Sequence, residues 1–93
     1  LEEIVHIEPK ADLTVKIVWS DNREAFVDFA PIINRSPLFN PMRDAQFFVH
    51  NARITHTGSA VAWSDLLEFS SDGLRYDAFP EEYQRDFGDA AAE

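Results

Sequence analysis

Residues 13–29, LTVKIVWSDNREAFVDF, carry two apolar rows of the same parity, and that parity constrains the fold more than any other feature of the chain. Leu13, Val15, Ile17 and Trp19 alternate with Thr14, Lys16 and Ser20, with Val18 alone breaking the polar row. Ala25, Val27 and Phe29 alternate with Glu24, Phe26 and Asp28. Period-two alternation rich in β-branched and aromatic residues marks half-buried strands. Directly opposed residues of a hairpin share a face, so a loop of even length would set Val15 or Ile17 against Asp28 or Glu24. A three-residue loop, Ser20-Asp21-Asn22, pairs Trp19 with Arg23, Ile17 with Ala25, Val15 with Val27 and Leu13 with Phe29. It also puts Asn22 where a type I turn plus bulge needs a left-handed residue, which Asn tolerates. A slip of one residue would turn the buried row outward, so the register is firmly specified. The opposite face, with Lys16, Val18, Phe26 and Asp28, is mixed and is expected to be partly covered.

The rest of the chain is read against this hairpin. Ile4–Ile7 is a short strand closed by Glu8-Pro9, since Pro cannot donate to a ladder, and Lys10-Ala11-Asp12 makes the turn. His6 in that strand reads as a structural imidazole. Residues 30–35 read as one helical turn with Pro31 at its start, stopped at Ser36-Pro37. Leu38 and Phe39 are expected in the core. Asn40-Pro41 starts a second short helix and Asp44 caps its continuation through Val49, burying Met42, Phe47 and Phe48. Residues 52–57 and 60–63 read as a second hairpin about a two-residue Gly58-Ser59 turn. That turn would pair Ile54 with Trp63, His56 with Val61 and Thr55 with Ala62. Leu66, Leu67 and Phe69 form a further apolar segment, and Ser70 or Ser71 caps a turn running to Tyr76. The expected class is α+β, a small antiparallel or mixed sheet built from two β-hairpins with short helices between them. One domain spans residues 1–79. An acidic tail follows over 80–93, in which Tyr83 and Phe87, four apart, suit a short docking helix.

Ninety-three residues suffice for one modest core. The net charge is −9; nucleic-acid binding normally needs a basic face, so neither direct nucleic-acid binding nor an anionic membrane surface is expected. Such a surface favours basic partners. There is no cysteine, hence no disulfide, thiol nucleophile or thiolate metal site. No apolar run approaches the ~20 residues of a membrane span, and no signal peptide is visible in a chain that opens on Leu1. The expected location is cytoplasmic.

The search for chemistry is mostly negative. Gly58, Gly73 and Gly88 stand alone and build no phosphate loop. The spacing of His50 and His56 matches no common zinc pattern. Ser64, His56 and Asp65 make a triad only on paper, without a strained nucleophile turn. Asp28 would serve as a base only in a cleft that raised its pKa. No catalytic residue, metal or cofactor is assigned. The candidate partner contacts are Arg35 and Arg43, whose guanidinium forks suit carboxylates, with Trp63, Tyr83 and Phe87. Trp63 has a second reading as a core anchor opposite Ile54.

The run LTVKIVWSDNREAFVDF, then PII, LFNPMRDAQFF, a strand ending Val61-Ala62-Trp63, then Leu67 and SSDGLRY, resembles the bacterial domain-of-unknown-function family 2442 over about residues 3–78. Asn22 stands where that family usually has Gly, and Trp63 is followed by Ser-Asp rather than Pro. The resemblance implies a compact α+β domain, sometimes followed by a helix-turn-helix, for which the residues after 78 leave no room. It also implies a gene neighbourhood shared with another small protein, which has prompted toxin–antitoxin suggestions. It implies no activity and no catalytic residues. The expected function is a protein-interaction or regulatory module, the acidic partner of a basic, toxin-like neighbour. The alternative is a small-ligand-binding domain or enzyme with a site between the hairpins or at a homodimer interface, which would need a cleft gathering Asp28 with His6 or His56.

Overall fold

In a computed structural model that describes residues 2–92, residues 4–28 form an antiparallel meander of β1 (Ile4–Pro9), β2 (Thr14–Trp19) and β3 (Glu24–Asp28), in the order β1-β2-β3. The register is the one that parity dictates: Val15 faces Val27, Ile17 faces Ala25 and Thr14 faces Asp28. Trp19 N donates to Arg23 O at 2.9 Å and Asn22 takes φ 69°, so the loop is Ser20-Asp21-Asn22. A bulge between Ile4 and His6 switches the facing of β1. Ile4 thereby reaches the core opposite Trp19, while His6 lies outside opposite Val18. That outer face is partly covered, as expected: Lys16 and Val18 are partly buried while Phe26 is 64% exposed, and Lys16 lies 3.8 Å from Glu8 and 3.9 Å from Glu24.

The connection to the second half is helical. Helix α1 (Ala30–Ile33) is shorter than the expected turn, and buries Ile32 and Ile33. A 3₁₀ segment follows over Pro37–Arg43, where Ser36 Oγ accepts from Leu38 N at 3.2 Å. Pro37 therefore starts a helix rather than stopping one, because its fixed φ suits a first helical position. This turns Leu38 outward, 51% exposed, which corrects its expected place in the core. Helix α2 (Ala45–Asn51) is capped as expected by Asp44, whose carboxylate accepts from Gln46 N and Phe47 N at 2.9 and 3.3 Å.

A second antiparallel sheet holds β4 (Arg53–Thr55), β5 (Ala60–Ser64) and β6 (Leu67–Ser70) in the order β4-β5-β6. The fold is α+β, with two three-stranded sheets rather than one. The register of β4–β5 is two residues off the expected one: Ile54 faces Val61, Thr55 faces Ala60 and Arg53 faces Ala62. The loop is four residues, His56 to Ser59, not two. His56 and Thr57 both adopt left-handed φ, 53° and 56°, and Gly58 takes φ 103°. The close approach of Gly58 to β1 explains this: a Cβ there would lie 2.7 Å from Ile4 O. Contact between the two halves of the chain thus overrides the local turn preference.

Helix α3 (Ser71–Ala78) is capped by Ser70, whose Oγ accepts from Gly73 N at 3.0 Å. Helix α4 (Pro80–Ala92) follows directly, with Pro80 first and Glu81 and Glu82 in its opening turn, where acids suit the helix dipole. The core gathers on Phe29. Its ring meets Phe48 and Phe69 edge-on, with centroids 5.7 and 5.4 Å away, and Trp63 at 5.1 Å. Trp19, Ile17, Val15, Ile33, Met42 and Leu74 belong to it, with Ile4, Val27, Ile32, Val61 and Leu67. Both indoles are satisfied: Trp63 donates to Phe48 O at 2.8 Å, and Trp19 to Ser71 Oγ at 3.2 Å. No helix among the described residues is long and apolar enough to cross a membrane.

Candidate functional site

Helix α4 is held on the domain by charge. Glu82, with only 9% of its side chain exposed, accepts from Arg23 Nη1 at 2.6 Å and from Arg75 Nε and Nη2 at 2.9 and 3.1 Å. Arg75 also forks onto Asp21 in the β2–β3 loop, at 3.0 and 2.7 Å. Four charged residues from the hairpin tip, α3 and α4 are thereby joined. The Arg75 hydrogen bonds lower the pKa of Asp21 to about 2, and donating to Asp21 and Glu82 raises that of Arg75. Apolar surface beneath supports the cations: the Arg23 guanidinium lies 3.8 Å from the Phe79 ring centroid, and that of Arg75 lies 5.2 Å from both Trp19 and Phe79. Arg23, Asp21, Arg75 and Glu82 also line a cleft of about 340 Å³ with Glu2, Asp72 and Asp86. Every guanidinium in it is already matched by a carboxylate.

On the other side of this junction stand three rings. Tyr83 lies 5.5 Å from Tyr76 and 5.1 Å from Phe87, and Tyr76 lies 5.7 Å from Phe87. Tyr83 and Phe87 remain 48% and 47% exposed. Tyr76 donates its hydroxyl to Asp86 Oδ2 at 2.8 Å, which raises the Tyr76 pKa, while hydrogen bonds from Arg85 and then Tyr76 lower that of Asp86. A groove lined by Gly73, Tyr76, Asp77, Pro80, Tyr83 and Gln84 opens beside the rings.

The candidate contacts divide accordingly. Tyr83 and Phe87 come together on α4. Arg35 is exposed and lies 3.9 Å from Asp77 of α3. Arg43 is tied into its own loop, donating to Asn34 Oδ1 at 2.8 Å and Asn40 Oδ1 at 3.2 Å. Trp63 is 2% exposed, so its place is the core and not the surface. Tyr76, Arg75 and Glu82 are additions to the sequence reading. They lie across the break at Phe79-Pro80, where helical spacing carries no signal.

The grouping of Asp28 with His6 or His56 is not formed. Asp28 Oδ1 accepts from Ala30 N at 3.0 Å. His6 contacts Glu8 at 3.0 Å, and this hydrogen bond, ahead of the charge on Lys16, lowers the Glu8 pKa. His56 contacts Glu68 at 3.1 Å. Ser64 Oγ accepts from Leu66 N, so the paper triad with His56 and Asp65 has no nucleophile–base contact. Among the described residues no group of three His, Cys, Asp or Glu side chains is placed to hold a metal.

A family model described as a protein of unknown function, DUF2442, matches residues 4–80. The chain belongs to the DUF2442 family. The match ends at the residue where α4 begins. No curated protein matches. Among solved structures the DUF2442 chain is similar to the crystal structure of the putative DNA binding protein NE0471 from Nitrosomonas europaea, with a TM-score of 0.79 and 24% identity over 96% of this chain. The chain spans 58% of that protein's length. At this identity the likeness establishes the fold. It also corrects the partner expectation: a neighbour described by its DNA binding removes the ground for excluding nucleic acid. Net charge is a sum over the surface, whereas phosphates are met by a local set of cations and backbone donors.

Proposed function

We propose that this DUF2442 domain is a protein-interaction module with a regulatory role. The observation that carries the reading is the contiguous set of rings at the α3–α4 junction, the half-exposed Tyr83 and Phe87 against the more buried Tyr76. Single exposed apolar residues such as Leu66 or Val5 are ordinary on a soluble protein, whereas contiguous ones mark contact surfaces. Aromatic side chains are also the commonest anchors of protein interfaces. The charge of −9 favours a basic partner, and the product of a neighbouring gene is the first to try. The bacterial cytoplasm is the setting in this reading, with which a cysteine-free chain is compatible.

Affinity capture of the tagged chain from source-cell lysate, with mass spectrometry of what stays bound, tests it. One stoichiometric protein, retained by the pure domain, is the expected result. No retained protein, and no binding of neighbouring-gene products at high micromolar concentration, refutes it.

The neighbour's description favours a second reading, in which the domain works on DNA or as part of a DNA-binding assembly. Fluorescence anisotropy of a labelled duplex tests it. Affinity that falls steeply between roughly 50 and 200 mM salt supports contact with phosphates. No binding at the lower salt removes direct contact.

A further inference from the structure

The ion clamp occupies one side of the α3–α4 junction and leaves the ring side free. There Tyr76 and Tyr83 line a groove of about 550 Å³ with Gly73, Asp77, Pro80 and Gln84, and the Phe87 ring packs against both tyrosines. Its surroundings are acidic. Asp77 lines the groove itself, and α3 with the first part of α4 carries four further acids, Asp72, Glu81, Glu82 and Asp86, of which Asp72, Glu82 and Asp86 line the clamp cleft, against Arg75 and Arg85. Arg75 is committed to Asp21 and Glu82, and Arg85 lies 3.0 Å from Asp86 and 4.0 Å from Glu82. The nearest cation to Asp77 is Arg35, long at 3.9 Å and with both side chains well exposed, so it is easily exchanged.

This charge pattern selects among occupants. A second copy would set one acidic rim against another, each on a chain of net charge −9. A cationic segment finds both ring faces and carboxylates. The molecule already uses that pairing on the far side of α4, where Arg23 lies over the Phe79 ring and donates to Glu82. Arg suits it better than Lys, because the planar guanidinium stacks on a ring while its edge donates to a carboxylate.

We propose that the groove between α3 and α4 docks an arginine-bearing segment of a partner protein, with a guanidinium over the Tyr83 ring and Asp77 as its acceptor. This rests on the protein-interaction reading and names its contact surface and the chemistry of the partner.

The probe is a short peptide of alternating Arg and Gly, with its Lys and Glu counterparts, titrated into the isotopically labelled full chain. The expected result is chemical-shift change concentrated on Tyr76, Tyr83 and Phe87, tighter for Arg than for Lys and absent for Glu. Tyr83→Ala with Phe87→Ala should weaken Arg-peptide binding by at least about fivefold, as for a contact hot spot. Since that variant removes the α4 rings, Asp77→Asn serves as the second. It leaves the rings in place, should keep the circular dichroism spectrum, and should also weaken the peptide. Unchanged affinity in both variants, or shifts centred on Phe26 instead, overturns the groove and leaves the interaction reading standing. No shift with any peptide also overturns the groove, while lysate capture decides the broader reading separately. A DNA duplex that moves the same rings in preference to the Arg peptide overturns the assignment in favour of a polyanion.

Discussion

Replacing Gly58 by alanine tests the contact that joins the two sheets. Gly58 has φ 103°, and an added Cβ would lie 2.7 Å from Ile4 O and 2.9 Å from Glu3 Cβ. The backbone conformation alone costs an L-residue about 1–2 kcal/mol. The overlap falls on strand backbone and on the root of a side chain, neither of which can swing aside. Relieving it moves the β4–β5 loop away from β1, a strain of about 1–2 kcal/mol by analogy with overpacked cores. Gly58→Ala should therefore destabilise the domain by about 2–4 kcal/mol. At a urea slope near ~1 kcal/mol per molar, the midpoint should fall by about 2 M or more. Gly88→Ala is the matched control. Its Cβ meets only the Gln84 side chain, whose end can rotate away. A glycine-to-alanine change inside a helix favours the helix by about 0.5–1 kcal/mol, so helical signal should hold or rise. A loss below about 0.5 kcal/mol at Gly58, with the slope unchanged, would refute both the close approach and the left-handed loop that it explains.

Three further outcomes are expected. Trp63→Phe should cost about 1–3 kcal/mol in chemical denaturation, since it leaves Phe48 O without its 2.8 Å donor in a buried site; a change near zero would mean that the indole N–H is not needed there. Val15→Ala should cost a similar ~1–3 kcal/mol, because Val15 is fully buried opposite Val27; a neutral result would disprove the β2–β3 register. Asp21 has its folded pKa lowered from 3.8 to about 2, so its contribution is fully present above about pH 4 and lost as pH falls towards 2. Acid titration followed by Tyr76 and Tyr83 fluorescence or NMR should show α4 loosening in that window. Asp21→Asn should remove that part of the pH dependence, and an unaltered acid profile would sink the assignment.

The sequence was most informative where one physical rule had no competitor. In β2–β3 the parity of the apolar rows and the tolerance of Asn22 for a left-handed turn agree, and the structure has that register. In β4–β5 they compete. Gly58-Ser59 looks like a tight turn, but Gly58 is needed against β1, and His56 and Thr57 take up left-handed backbone to let it arrive. No local pattern reports a contact made to residues 3 and 4. Apolar character misled at Leu38, which Pro37 turns outward. Of the candidate contacts, Tyr83 and Phe87 were visible because they are four apart on one helix. Tyr76 completes their cluster from a different helix, and Arg75 and Glu82 meet Asp21 only once the hairpin tip has folded beside them. Such groupings exist only in three dimensions.

The ionic attachment of α4 has a consequence for how the molecule opens. A helix that leaves by exposing apolar surface does so at a free energy that salt hardly changes. This one leaves by parting Tyr83 and Phe87 from Tyr76 and by separating Glu82 from Arg23 and Arg75; the half-exposed Arg23 end of that clamp is the part that dissolved ions screen, while the buried Arg75 end is screened much less. Amide hydrogens of α4 should therefore exchange with solvent through a local opening whose rate rises modestly with ionic strength, by the share that the Arg23 pair contributes. Those of β2 and β5, locked behind the Phe29 core, wait for global unfolding and should hold their rates. Two clocks would then run in one small domain, and only one of them is set by the salt around it.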